Sequence, residues 1–103
     1  MKTIDDFRQS LSADTPPAGV APALQALWWL GKGNWDQAHK VCQGHEDNDE
    51  CNWVHAHLHR QEGDLRNAGG WYDRAGKPMP DAAVPLEEEW SRLAAAFLGA
   101  NRA

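Results

Sequence analysis

The chain has 103 residues, enough for one domain with a modest core, and its 42% apolar and 24% charged residues fit a folded globular protein. A net charge of −5, with no stripe of Lys or Arg, argues against nucleic acid and against anionic membrane as partners. Two cysteines, Cys42 and Cys51, make no disulfide framework, and six tryptophans suit a small helical core stabilised from few positions.

The N-terminal run M-K-T-I-D-D-F-R shows neither the apolar stretch nor the cleavage site of a secretory signal, so reduced thiols in a cytoplasm are the expectation. Thr3 can cap a short first helix, with Asp6 three residues on and Ile4, Phe7 and Leu11 as its apolar stripe. The prolines and glycine of D-T-P-P-A-G (14–19) then interrupt the chain. A second helix is predicted over 22–30, apolar nearly all round, and therefore central. The apolar run that contains it is broken by Pro22 and Gln25 and is too short to span a bilayer.

The glycines of G-K-G-N end that helix, and Asn34 caps a third with Trp35, Ala38, Val41 and Cys42 on one face. The acidic run H-E-D-N-D-E (45–50) lacks the glycine and distal glutamate of a calcium loop and reads as the start of a fourth helix, which runs to Gly63. Asp64 caps a fifth helix over 65–75, stopped by Gly76 and K-P-M-P. Pro85 and Glu87 to Glu89 open a sixth, whose Trp90, Leu93, Ala94, Phe97 and Leu98 form one stripe. No segment alternates with period two. The predicted fold class is all-α, one helical domain over residues 1–103.

Two segments repeat one pattern 30 residues apart: G-N-W-D-Q-A (33–38) and G-D-L-R-N-A (63–68). Each sits at a turn between two helices, and Ala38 and Ala68 are small enough to let paired helices approach closely. Gly31, Gly33, Gly69 and Gly70 read as turn and close-packing positions. The second copy resembles the tetratricopeptide repeat family: Ala56, Gly63, Ala68, Tyr72, Ala75 and Pro80 fall at that consensus's spacings. Asn52, His55 and His59 depart from it, standing where the consensus has Trp, Leu and Tyr, and the first copy, around Ala26, Gly33 and Ala38, is weaker. The run from Trp53 to Gly76 also resembles a small bacterial family of uncharacterised helical proteins, which implies no activity. The resemblance implies about two stacked antiparallel hairpins, flanked by the N-terminal helix and a C-terminal capping helix. The cap's Trp90, Leu93 and Phe97 are expected to pack on the fourth and fifth helices.

The fourth helix carries the candidate sites. Cys51, His55 and His59 lie at i, i+4 and i+8, a spacing able to chelate a metal, with His39, Cys42 or His45 available as a fourth ligand. Against that, no C-x-x-C or H-E-x-x-H accompanies them, and the repeat pattern packs positions 55 and 59 against the partner helix. Packing is the preferred reading, with no metal or cofactor expected. Trp53, His57, Arg60 and Gln61 share another face, which in the resembled family lines a concave groove where peptides dock. Glu62 beside Arg60 and the run Glu87 to Glu89 lack a catalytic arrangement, and no Ser-His-Asp order, phosphate loop or nucleotide fingerprint is present. The expected function is a non-catalytic module binding a protein, a peptide or a second copy of itself. The alternative is a small metal- or ligand-binding protein using the Cys51, His55 and His59 face.

Overall fold

Capping chemistry places most of the helix starts. Thr3, Asn34, Asn48 and Asp64 each accept a backbone N–H three residues on, at 3.1, 3.1, 2.9 and 3.3 Å, and so satisfy an amide that the first turn leaves free. The computed structural model describes residues 3–100, so both ends of the predicted 1–103 span lie outside it. Among the described residues the chain is all-helical: α1 Ile4–Ser10, α2 Pro22–Gly31, α3 Trp35–Gln43, α4 Asp49–Gln61, α5 Leu65–Ala75 and α6 Leu86–Ala100.

The α2–α3 and α4–α5 turns are built alike. Gly33 and Gly63 take left-handed φ of 80° and 86°, a conformation that favours glycine. In each, the amide of the residue after the glycine reaches back five positions, Asn34 to the Trp29 carbonyl at 2.9 Å and Asp64 to the His59 carbonyl at 3.0 Å. That bond closes the first helix with a Schellman turn while the same residue's side chain caps the second. Connections this short fold each helix back beside its predecessor. Ala68 is fully buried where α5 meets α4, against Ala56 and Tyr72. Gly69 and Gly70 face open space, so they are not close-packing positions; Gly31 is one, since a Cβ there would lie 3.0 Å from Leu11 and 3.2 Å from Trp90.

The main core is laid down by α2, whose Ala23, Leu24, Ala26, Leu27, Trp28 and Leu30 are all buried. Phe7 of α1, Ala38 and Cys42 of α3, Cys51, Val54 and Leu58 of α4, and the α6 stripe close around it. The indoles that enter this core keep their N–H groups satisfied: Trp28 donates to the Ser10 hydroxyl at 3.1 Å and Trp90 to the Leu27 carbonyl at 3.0 Å.

The address of α6 differs from the expected one. Its stripe is buried as predicted, but against α1, α2 and α4 rather than α4 and α5. The reason is the apolar area on offer. Helix α2 is apolar on nearly every side, whereas the apolar face of α5 is already spent on α4 and its other face carries Arg66, Asn67, Asp73 and Arg74. Helix α4 is thereby packed by α2, α3, α5 and α6, and its polar residues must find partners inside the protein.

Candidate functional site

Burial of α4 creates two polar centres on opposite sides of one helix. The first faces α6. His57 and Arg60, 1% and 9% exposed, meet the carboxylate of Glu89, 3% exposed. Glu89 Oε1 accepts from His57 Nδ1 at 2.6 Å and from Arg60 Nη1 at 3.0 Å, and Oε2 accepts from the Tyr72 hydroxyl at 2.5 Å. Burial alone would raise the Glu89 pKa, but the hydrogen bonds from His57 and Tyr72, with Arg60, hold it below the usual carboxylate value. The same burial, with the bond to Glu89, pushes the Tyr72 phenol up. Arg60 Nη2 also donates to the Val84 carbonyl and, at 3.4 Å, to that of Asp81, fastening the segment that leads into α6.

The face expected to stay open for a peptide is therefore covered over most of its length by the chain's own α6. His57 and Arg60 are turned inward, and Trp53 is half-buried, edge-on to Phe97 at 5.7 Å with the Lys77 ammonium 4.6 Å above its ring. Gln61 alone of the four stays exposed. It stands at the rim of a cleft of about 410 Å³ between α1, α2, α4 and α6, with Leu11, Leu30, Leu86 and Trp90 as apolar walls and Arg8 and Glu87 at the mouth. Sequence reasoning missed Glu89, which it grouped with Glu87 and Glu88 as helix-start chemistry. The signal was there: Glu89 stands at i−4 and i−8 from Leu93 and Phe97, in line with the buried stripe.

The second centre faces α3 and α5. A ring nitrogen from each of His39, His55 and His59 lies within 4.8 Å of the other two. The Nε2 atoms of His39 and His55 are 3.1 Å apart. Aromatic walls enclose them, Trp35 stacked on His39 at 4.8 Å and Trp71 on His55 at 3.8 Å. Trp35 is itself fixed by donating to the Leu58 carbonyl at 3.0 Å, and the Glu62 carboxylate accepts from His59 Nδ1 at 2.7 Å. His55 and His59 are buried and His39 is half-buried, while among the described residues Nδ1 of His55 has no hydrogen-bond partner.

Cys51 is not part of this group. Each i+4 step drifts by about 40° around a helix, so Cys51 has rotated into the main core beside Val54 and Leu58. Burial pushes its thiol up to about 11, which disfavours the thiolate a metal needs. Of the fourth ligands considered from sequence, Cys42 lies in the same core and the His45 ring is turned to the Val41 carbonyl at 2.9 Å, leaving His39 as the one that joins His55 and His59.

Burial first, then His39, His59 and Arg74, lower the His55 pKa from 6.5 to about 4, and burial and His59 also lower that of His39. An unfolded chain thus takes up a proton near pH 6.5 that the folded His55 refuses until about pH 4. The stability tied to neutral His55 is complete above pH 6.5, declines as pH falls to about 4, and changes no further below that. Metal-free protein should lose on the order of 3 kcal/mol across this window, and His55→Leu should remove most of the loss. Urea midpoints at several pH values between 7 and 5 test this above the range where Glu89 titrates; equal slopes for parent and variant would contradict it.

No protein family, curated protein or solved structure matches the chain.

Proposed function

We propose that this chain is a non-catalytic cytoplasmic interaction module, a tetratricopeptide-like stack of about two helical hairpins that receives a short segment of a protein partner. The cleft carries this reading. It is concave, mostly apolar, and has a few charged and polar groups at its mouth, the composition expected of a recognition site. The matching Schellman turns at Gly33 and Gly63, 30 residues apart, support the hairpin stack. With α6 lying on α2 and α4, binding is confined to the end of the inner face, around Gln61, Leu86 and Trp90.

Peptides selected from a random library against the purified protein test this. Those bound in the cleft should lose at least about tenfold in affinity to Leu86→Glu, at the cleft wall, and keep it with Leu65→Glu, a more exposed leucine outside the cleft. Selected peptides indifferent to both changes would remove the cleft as the binding site.

A further inference from the structure

We propose that His39, His55 and His59 bind one divalent first-row transition-metal ion, zinc being the natural candidate, and that the ion ties α3 to α4. The ligand set is chemically uniform, three imidazoles, which suits zinc, copper, nickel or cobalt and not the oxygen-seeking calcium or magnesium. The geometry is near what such an ion needs. Zinc–nitrogen bonds of about 2.0–2.1 Å in a tetrahedron set ligand nitrogens about 3.3 Å apart. His39 and His55 already stand at 3.1 Å, and the remaining nitrogen needs to close by a fraction of the 4.8 Å spread, within the reach of a ring rotation.

The surroundings are those of a ligand site. His59 donates Nδ1–H to Glu62, which leaves its lone pair on Nε2; a carboxylate behind a ligating imidazole fixes the ring and raises its basicity. Trp35 and Trp71 pack the His39 and His55 rings from either side, so little rotamer freedom remains to be lost on binding. Three protein ligands leave a fourth position on the half-buried His39 side, where water can complete the coordination.

The consequence is structural. His39 belongs to the first helix pair and His55 and His59 to the second, so the ion cross-links the two. The alternative is a metal-free arrangement in which one of the facing Nε2 atoms carries a proton and donates to the other. A cobalt titration separates the two. Protein made without an affinity tag and stripped with chelator should bind one equivalent of cobalt, develop visible d–d absorption, and melt at a higher temperature with zinc than without. His39→Ala and His59→Ala, each with helical content unchanged by circular dichroism, should weaken binding by at least about tenfold, whereas His45→Ala, outside the cluster, should not. His39 is half-buried, so its truncation is the variant least able to disturb the fold. Unchanged affinity in His39→Ala, a near-ultraviolet sulfur-to-cobalt band, or no binding at all would each overturn the proposal.

Discussion

Replacing Glu89 by alanine should cost the fold about 3–5 kcal/mol, a large share of the stability of a domain this size. The loss comes less from the removed bonds than from what they leave behind. Arg60 would keep its charge under α6 with its ion-pair partner gone, and His57 and Tyr72 would each lose their acceptor in a buried setting. Glu89→Gln should be milder, because an amide oxygen still accepts a bond, but it cannot neutralise Arg60. Neighbouring Glu88, half-exposed and paired with Arg92 on the surface, serves as the control: Glu88→Ala should fall within about 1 kcal/mol of the parent. Urea unfolding of the three variants reads this directly. Equal costs at positions 88 and 89 would show that the buried clasp does not form.

The second large effect concerns α6 as a whole. A chain ending at residue 84 would expose the faces of α1, α2 and α4 that Trp90, Leu93, Phe97 and Leu98 now cover. Burial of four such side chains contributes on the order of 6–12 kcal/mol, comparable with the whole stability of a small domain. The shortened chain should therefore lose its cooperative melt and aggregate. A monomeric truncated protein with the melting temperature of the parent would contradict the packing described for α6.

Much of this fold was legible in the sequence because its signals are local. The caps Thr3, Asn34 and Asp64, the turn glycines Gly33, Gly63 and Gly76, and the stripe from Trp90 to Leu98 each depend on residues a few positions apart. What was not legible depends on which elements meet. The stripe of α6 says that it is covered, but only the comparison of apolar area on α2 and α5 says by what. Glu89 reads as one of three helix-start carboxylates until α6 is laid on α4, where its position in line with Leu93 and Phe97 turns it inward. His39 likewise belongs to a third helix whose pairing with α4 brings it to His55, while Cys51, correct by spacing along one helix, turns into the core. Spacing within a helix finds two ligands at a time; the third is supplied by packing.

The measurement closest to the central claim is X-ray absorption at the zinc edge on protein loaded with one equivalent of zinc. The structure predicts about three imidazole nitrogens at about 2.0–2.1 Å, with the multiple scattering of histidine rings, and loss of one of them in His39→Ala. A sulfur shell at about 2.3 Å, placing Cys51 or Cys42 on the metal, or a first shell of oxygen without imidazole, would contradict the account.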